Sequence, residues 1–584
     1  MAFDISGLAL CLRYPLPSDH RGGPAGGYPR CLRGLAFAAA LLLAGCASLP
    51  KDVQRPVSHA LTQPDATPLG QLVEHKRPPT VQRDLSGFAL LASPNTAYAG
   101  RLALTQQASK TLDIQYYSIH VDPTVTNLLR AVRDAARRGV RVRILLDDFN
   151  SVGRDAQVMR MAGVPGVEMR MFNPLPGDRR AGMMRALWSL GDFKRIQHRM
   201  HNKLYIADNA WSIIGGRNLG DAYFGTADGS DFIDMDVLTA GPLVRDISAS
   251  FDRYWNNPLA YPVSSLITPA ELARLRELTP PAPQSAAAKR GEAQPAEAKP
   301  AEAKPAERKP PELQPAEDRS AQAASDDAKP APKAPPTLPP ALDLTSLPLA
   351  WAPAGLLVDS PLKLMPENGD TQVGGEVIEG LLSLLRTAQQ DVIIVSPYFV
   401  PGAQMMALFA KLRSRGVRVR VLTNSLASTD ALLAQVGYAH HRKQLLRQGI
   451  ELYEMRARER ARLKETVLGS DSQGSHAGLH AKLVIVDGRT IAIGSMNLDL
   501  RSKLQNTEIA LVIRNSRLAR QAAGQVLAVI RVGAWRVALE PDGALQWHDP
   551  PGAHARVYGH DPDTSVWLRL IAKMLSPLTP DEML

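Results

Sequence analysis

The sequence contains very little cysteine. Only three cysteines occur in 584 residues, at Cys11, Cys31 and Cys46, and none follows position 46. The chain beyond Cys46 therefore can form neither an internal disulfide nor a metal site built from thiolates. The sequence also lacks a cluster of carboxylates with a convincing metal-ligand pattern. We accordingly expect neither a metal nor another cofactor.

Acidic residues are fewer than basic ones. There are 57 Asp and Glu residues against 68 Lys and Arg residues, which gives a formal net charge of +11. The charge remains +9 when residues 1–45, with four Arg and two Asp, are left out. Such an excess favours anionic partners, either nucleic acid or a membrane rich in acidic phospholipids. Charge alone does not distinguish these two partners.

An apolar run lies near the N-terminus, at residues 35–43. Two arginines precede it, and it ends in Leu43-Ala44-Gly45-Cys46. This arrangement resembles a bacterial lipoprotein signal peptide, with residues 1–45 removed and Cys46 lipid-modified. The alternatives are an uncleaved single-pass anchor and an incorrectly assigned start. Because Ala47 follows the cysteine, analogy with lipoprotein sorting favours the outer membrane, so we expect a lipid-anchored protein of the bacterial cell envelope that faces the periplasm.

Length and composition divide the rest of the chain. A chain of 584 residues is too long for one compact core. Residues 280–344 consist largely of Pro, Ala, Lys and Glu and cannot bury a core, so we expect a disordered linker there. We assign residues 46–80 to a tether, 81–279 to a first lobe and 345–584 to a second lobe with a C-terminal extension.

The two lobes repeat one another. Each shows the order helix, apolar strand, helix, strand, and the stretch Gly-Val-Arg-Val-Arg recurs at 139–143 and 416–420, an offset of 277 residues. An offset kept across a whole lobe indicates a duplication. Strands that alternate with helices predict an α/β fold, in which each lobe has a mostly parallel sheet flanked by helices. We expect the two lobes to pack around one shared active site.

A pattern of His, Lys, Asp and Asn occurs once in each lobe. In both copies Lys follows His by two residues, Asp follows Lys by five, and Asn follows His by seventeen. The first copy is His201, Lys203, Asp208 and Asn218, and the second is His480, Lys482, Asp487 and Asn497. Ser495 lies in the second copy where the first has Gly216. Because alternate residues of a strand share a face, each His and Lys should share a pocket.

These residue types suit an anionic tetrahedral group, which means phosphate. One histidine can attack a phosphodiester to give a phosphoryl-histidine, while the other protonates the leaving alcohol and deprotonates the incoming one. The pKa of imidazole permits both roles near neutrality, and the two groups would titrate as a coupled pair. Lys203 and Lys482 would hold the phosphate oxygens, and Asn218, Ser495 and Asn497 would add hydrogen bonds.

The duplicated pattern H-x-K-x4-D followed by G-[SG]-x-N resembles the phospholipase D superfamily, in which both copies build one active site. Residues 217–224, 423–427 and 564–567 are similar to stretches of the C-type bacterial cardiolipin synthases. The resemblance covers nearly all of the chain except about its first 80 residues and the linker. It implies a phosphatidyltransferase that makes cardiolipin, with phosphatidylglycerol as acceptor and phosphatidylglycerol or phosphatidylethanolamine as donor.

The resemblance also implies roles for individual residues. It makes His201 the nucleophile and His480 the general acid and base, although the internal symmetry allows the reverse. Glu508 resembles the carboxylate that orients a histidine in this family, and Asp236 is expected in the corresponding strand of the first lobe. Asp208 and Asp487 belong to the catalytic signature, but we expect them to close the turn after each strand.

Three other functions stay open. They are a phospholipase D that forms phosphatidic acid, a nuclease with the same motif, and a non-catalytic lipid-binding lipoprotein. Intact motifs in both lobes disfavour the last, and the lipid anchor disfavours the nuclease. The expected partners are therefore membrane phospholipids and no nucleic acid, with any helper protein unidentified.

Two apolar segments bear on contact with lipid. The first, before the His201 motif, contains Met183, Met184, Leu187 and Trp188, and it fits acyl-chain contact or buried packing. The second is a C-terminal stripe that fits an interfacial helix or a helix docked on the core equally well. It comprises Val566, Trp567, Leu570, Ile571, Met574 and Leu575. Other histidines, such as His120 and His440, are expected to be ordinary surface or core residues.

Overall fold

The computed structural model describes residues 49–149, 155–175, 193–227, 230–277, 338–365, 375–457, 476–552 and 555–578. The proposed signal peptide, Cys46, most of the predicted linker and the segment 183–188 lie outside these residues. No helix in the described ranges has the length and apolar character needed to cross a bilayer.

Helices make up the outer layers and part of the interior. In the first half of the chain they are α1 Pro68–Lys76, α2 Pro94–Gln107, α3 Pro123–Arg137, α4 Phe193–Gln197, α5 Asp221–Phe224, α6 Leu243–Trp255 and α7 Pro269–Glu277. In the second half they are α8 Glu376–Arg386, α9 Ala403–Ser414, α10 Leu432–Arg447, α11 Leu500–Leu504, α12 Ser516–Gly533 and α13 Val566–Leu575.

The strands form two large sheets and two short ones. Strands of the first half are β1 Ser86–Leu91, β2 Thr111–Tyr116, β3 Arg141–Asp147, β4 Val167–Phe172, β5 Arg199–Met200, β6 Leu204–Ala207, β7 Trp211–Gly215, β8 Ser230–Ile233, β9 Asp236–Ala240 and β10 Ala260–Pro262. Those of the second half are β11 Ala350–Ala352, β12 Ala354–Val358, β13 Asp391–Val395, β14 Arg418–Asn424, β15 Glu451–Met455, β16 His476–Leu479, β17 Leu483–Val486, β18 Thr490–Gly494, β19 Asn506–Thr507, β20 Ile509–Arg514, β21 Ala534–Leu539, β22 Leu545–His548 and β23 Val557–Tyr558.

The two large sheets confirm the duplication. The first has the order β10-β4-β3-β2-β6-β7-β9-β1-β11, and the second has β12-β20-β18-β17-β13-β14-β15-β21-β22-β23. Read in the same direction, eight successive strands correspond, from β10 with β21 to β1 with β12. Gly139 and Gly416 follow the crossover helices α3 and α9 at φ +93° and +79°, a conformation that glycine adopts without strain. The recurring stretch is thus a helix stop followed by a strand.

The prediction of mostly parallel sheets is wrong. Only β2, β3 and β4, and likewise β13, β14 and β15, are joined in parallel. The other pairs in both large sheets are antiparallel. Helical crossovers produce the parallel pairs, whereas β6–β7 and β17–β18 are hairpins, and a short turn can only join antiparallel strands.

Buried apolar side chains form three clusters that define the layers. One cluster lies between the first sheet and helices such as α2 and α3. Another lies between the second sheet and α8, α9 and α10. The central cluster draws side chains from both sheets and from α6 and α12, including Phe251 and Val526. The lobes therefore share one continuous apolar interior.

The domain boundaries predicted from composition need two corrections. The sequence predicts a tether over 46–80, but Leu69 and Val73 of α1 are buried in the first-lobe core. Trp211 Nε1 also donates to the Leu69 carbonyl at 2.9 Å. At the other boundary, β11 pairs with β1, so residues assigned to the second lobe complete the first-lobe sheet. Proline and polar residues hid these contacts, because docking on a formed surface needs little intrinsic propensity.

The aspartates of the two motifs support the hairpins. Asp208 is fully buried, and its carboxylate accepts hydrogen bonds from the backbone N–H groups of Ser109, Lys110 and Thr111 at 2.7–2.9 Å. Asp487 accepts equivalent bonds from residues 389–391. Each carboxylate thus joins a hairpin turn to the start of the neighbouring strand.

We expect Asp208→Ala to lower the free energy of unfolding by about 3 kcal/mol, since it leaves three backbone donors without their charged acceptor. Urea unfolding followed by circular dichroism measures the change. Asp65→Ala, which removes an exposed ion pair with Arg245, should cost less than about 1 kcal/mol. A loss of transferase activity in folded Asp208→Ala protein would contradict the structural role.

Candidate active site

Each motif histidine lies where a strand of one lobe pairs with a strand of the other. β5, which precedes His201, pairs in parallel with β19, and β16, which precedes His480, pairs in parallel with β8. The backbone N–H of His201 donates to the Thr507 carbonyl at 2.9 Å, and that of His480 donates to the Ile233 carbonyl at 2.8 Å. Both histidines are therefore fixed by backbone contacts between the lobes.

The side chains repeat this exchange between lobes. Nδ1 of His201 lies 2.9 Å from Glu508 Oε2, and Nδ1 of His480 lies 2.7 Å from Asp234 Oδ2. Each histidine thus takes its carboxylate from the opposite lobe. A carboxylate at Nδ1 fixes the tautomer in which Nε2 carries the free electron pair. Since both histidines line one cavity, this arrangement suits a nucleophile and a proton carrier that act on the same group.

Asp236, predicted to orient a histidine, does not do so. It is fully buried, and its Oδ2 accepts from Arg101 Nη1 at 2.9 Å and lies 3.3 Å from Arg217 Nη1. Gly215 pairs with Asp236 as Gly494 pairs with Ala510, which makes Asp234 the counterpart of Glu508. The signal was present in the sequence, because aligning the strands on these glycines selects the first acid of Asp-Met-Asp.

Ser495 was expected to contact phosphate, but it holds a carboxylate instead. Its Oγ donates to Glu508 Oε2 at 2.5 Å and accepts from the Ile509 N–H at 3.0 Å. In the first lobe a Cβ added at Gly216 would lie 2.6 Å from Asp234 Oδ1. The difference between Gly216 and Ser495 therefore follows from the two carboxylates that lie beside them.

The cavity between the lobes has a volume of about 820 Å³. It is lined by aromatic, polar and charged residues together with a few apolar ones. They include Tyr117, His120, Phe149, His201, Asn218, Tyr223, Phe232, Tyr398, Asp430, Leu432, Leu433, His480, Asn497, Asp499 and Arg501. Asp208 and Asp487 are not among the lining residues.

The two motif asparagines retain hydrogen-bonding capacity. Oδ1 of Asn218 and Oδ1 of Asn497 are buried and have no hydrogen-bond partner among the described residues. Asn218 Nδ2 donates to Tyr223 Oη at 3.0 Å, which fixes the amide in the cavity wall. A buried polar atom without a partner is costly, so a ligand in the cavity would be stabilised by pairing with these amides.

The two motif lysines are buried beside the histidines. Lys203 Nζ donates to the His201 carbonyl at 2.8 Å, and Lys482 Nζ donates to the His480 carbonyl at 2.5 Å. Burial lowers the pKa of Lys203 to about 7 and that of Lys482 to about 8; Glu508 and Asp234 oppose the shift. The site therefore concentrates positive charge that an anion would stabilise.

The same surroundings act on the histidines and their carboxylates. Burial and the neighbouring lysines lower the pKa of His201 well below its usual range and that of His480 to about 4. Burial raises the pKa of Glu508 to about 7. Burial opposes ionisation of Asp234 as well, but its hydrogen bond to His480 keeps its pKa at about 2. Both imidazoles are thus neutral in the empty site, and a bound phosphate would favour protonation of one of them.

These shifts predict the pH dependence of kcat/KM. The active form of each lysine is the ammonium; because its pKa is lowered, that form is present below and is lost as pH rises through about 7–8. We expect kcat/KM to fall by about tenfold per pH unit above this range. Initial rates measured across the range provide the check, with Lys203→Arg as a variant whose guanidinium keeps its charge. A kcat/KM that stays constant into strongly alkaline solution would contradict this assignment.

Several residues near the reacting atoms were missed. Tyr117 packs edge-on against His201 with ring centroids 5.0 Å apart, and Tyr223 and Phe232 pack against His480 at 5.1 and 5.2 Å. His120, expected to be an ordinary residue, lies in the cavity wall. A usable signal was position, since Tyr117 and His120 follow β2 at the carboxyl edge of the parallel strands.

Both lobes match known sequences. Residues 102–255 and 381–528 match the family described as cardiolipin synthase, PLD-like domain. Cardiolipin synthase C of Escherichia coli (strain K12) is 33% identical over 490 residues, 84% of this chain and 94% of that protein. An uncharacterized protein of Helicobacter pylori is 30% identical over 568 residues, 94% of this chain and 99% of that protein. The crystal structure of phosphatidylserine synthase from Haemophilus influenzae Rd KW20 aligns with a TM-score of 0.49 and 13% identity, over 88% of this chain and 98% of that one.

Proposed function

Because this chain belongs to the phospholipase D-like cardiolipin synthase family and is a phospholipid phosphatidyltransferase, we propose that it makes cardiolipin from two phospholipids. Phosphatidylglycerol is the acceptor, and phosphatidylglycerol or phosphatidylethanolamine is the donor. The observation that carries the proposal is the pair of histidines, each bound at Nδ1 by a carboxylate of the opposite lobe and both facing one cavity.

In the first step Nε2 of His201 attacks the phosphorus of the donor lipid. The bond from phosphorus to the headgroup oxygen breaks, and His480 Nε2 gives its proton to that oxygen. The products are the free headgroup alcohol and a phosphatidyl-histidine. Lys203 and Lys482 stabilise the negative charge that develops on the phosphoryl oxygens, because both are already buried beside it and need no rearrangement.

In the second step a glycerol hydroxyl of phosphatidylglycerol attacks the phosphatidyl-histidine. His480 takes the hydroxyl proton, the bond from phosphorus to His201 breaks, and cardiolipin is released. Asp430 and Asp499 line the cavity, and their carboxyl oxygens offer acceptors to the hydroxyls of a glycerol headgroup or the ammonium of phosphatidylethanolamine. Water in place of the lipid hydroxyl would give phosphatidic acid by the same steps.

The test is mass spectrometry of lipids after incubation of the purified protein with phosphatidylglycerol and phosphatidylethanolamine. When the phosphatidylethanolamine carries deuterated acyl chains, cardiolipin with two deuterated and two ordinary chains identifies it as donor. Cardiolipin with four ordinary chains identifies phosphatidylglycerol as donor. Phosphatidic acid without cardiolipin would contradict the proposal and identify a hydrolase.

We also propose that Cys46 carries the lipid anchor and that the enzyme faces the periplasm from the outer membrane. The support is the sequence Leu43-Ala44-Gly45-Cys46 after an apolar run, with Ala47 following. A mass spectrum of the mature N-terminus should show acyl chains on Cys46, and Cys46→Ser should remove them. An N-terminus without acyl chains would contradict this anchor.

A further inference from the structure

Helix α13 exposes a large apolar face. Its exposed side chains occupy positions i, i+1, i+4, i+5 and i+8, which lie on one side of a helix. They are Val566 at 71% exposure, Trp567 at 73%, Leu570 at 44%, Ile571 at 45% and Met574 at 66%. We refer to these five residues as the α13 face. An apolar patch of this extent on a folded protein marks an interaction surface.

The opposite side of α13 packs against α10. Arg569, Ala572 and Lys573 border a small cleft whose other wall is Val436 and Ala439 of α10. Near the end of the helix, His440 Nε2 lies 2.7 Å from Ser576 Oγ. Thus the helix is attached through polar and small side chains, and its large apolar ones point away from the protein. The C-terminal stripe is both docked and exposed, where the sequence offered these as alternatives.

The α13 face lies beside the entrance of the active-site cavity. Leu432 and Leu433, at the start of α10, line that cavity, and Leu433 is 50% exposed. The cleft under α13 includes Val436, which is one turn further along α10. One turn spans about 5 Å, so the exposed apolar surface continues from α13 to the cavity wall.

We propose that the α13 face and Leu433 enter the interface of a phospholipid bilayer, so that lipids pass from the bilayer into the cavity. This inference rests on the proposed function, because only an enzyme that acts on two diacyl lipids needs its cavity open toward acyl chains. A phospholipid surface is also the occupant that matches the side chains. Trp567 suits the level of the headgroups, and exposed Lys573 suits anionic phosphatidylglycerol.

Quenching of Trp567 fluorescence tests the insertion directly. The full-length protein is mixed with vesicles of phosphatidylethanolamine and phosphatidylglycerol whose acyl chains carry bromine, which quenches indole on contact. Trp211, Trp255, Trp535 and Trp547 are at most 3% exposed, so the expected quenching comes from Trp567. Trp567→Phe keeps the apolar face and should abolish the difference from unbrominated vesicles. A lipid anchor on Cys46 does not by itself bring Trp567 to the acyl chains.

Activity measurements test the consequence for lipid entry. We expect Ile571→Ser/Met574→Ser to lower kcat/KM on bilayer vesicles by about tenfold, with no change on phosphatidylglycerol whose short chains keep it monomeric. Val57→Ser, a matched change of an exposed apolar residue at 69% exposure, should change neither rate.

Three outcomes would overturn the inference, and one would separate it from the proposed function. Absence of quenching overturns it, as does an equal loss on vesicles and monomeric lipid. A dimer that Ile571→Ser/Met574→Ser dissociates, without quenching in the parent protein, assigns the α13 face to a second copy and also overturns it. Quenching by brominated vesicles without turnover of any lipid would support the membrane surface while refuting the proposed reaction.

Discussion

Replacing His201 with alanine is expected to abolish cleavage of phospholipids, with kcat/KM reduced at least about 10⁴-fold. The reason is that no phosphatidyl-enzyme forms without the nucleophile. His480→Ala is expected to lower kcat/KM on natural lipids by about 10²- to 10⁴-fold, since the leaving alcohol then departs without a proton. Mass spectrometry of cardiolipin and of the released headgroup measures both effects.

An activated substrate distinguishes the two histidines. In a phosphatidyl ester of p-nitrophenol the leaving group is a stable anion that needs no proton. His480→Ala should therefore release about one equivalent of p-nitrophenol per active site in a burst, and His201→Ala should release none. A burst from His201→Ala and none from His480→Ala would reverse the assignment. His75→Ala, at an exposed position of α1, serves as the control with unchanged activity.

The carboxylates that cross between the lobes carry the second large effect. We expect Asp234→Asn and Glu508→Gln each to lower kcat by roughly 10²- to 10⁴-fold with little change in KM. An amide in place of the carboxylate can donate to Nδ1, which moves the imidazole proton to Nε2 and blocks that atom from acting as nucleophile or base. The measurement is steady-state kinetics on vesicles over a range of pH.

Asp236→Asn is the matched control for Asp234→Asn. Asp236 is bound to Arg101 and lies beside Arg217, so its neutralisation leaves two buried guanidinium groups without a counter-charge. We expect a loss of about 3 kcal/mol of stability with kcat unchanged below the melting transition. If Asp236→Asn lost kcat while Asp234→Asn did not, the register of the first-lobe strand would be wrong.

The exchange of carboxylates explains why two motif copies serve one site. Neither lobe holds both members of a histidine–carboxylate pair. The pairs form only when β5 meets β19 and β16 meets β8, and the two sheets share one apolar cluster. The apolar interior therefore sets the relative position of the lobes, and with it the geometry of the reacting atoms.

Some predictions failed for identifiable reasons. The sequence predicts parallel sheets because strands and helices alternate, yet the hairpins that carry Asp208 and Asp487 reverse the chain within three residues. It predicts Asp236 as the orienting acid because Asp234 and Asp236 differ by two positions and so point to the same face of a strand. Only the pairing of Gly215 with Asp236 distinguishes them.

The sequence by itself determined the duplication, the two-lobed α/β fold, the family and the histidines and lysines of the motif. These depend on spacing along the chain, and strand alternation converts that spacing into neighbouring side chains. The tertiary structure alone decided which carboxylate serves which histidine, that Ser495 holds Glu508, and that α13 turns its apolar face outward. Each of these depends on contacts between segments far apart in sequence, and such contacts are set by the packing of whole sheets and helices.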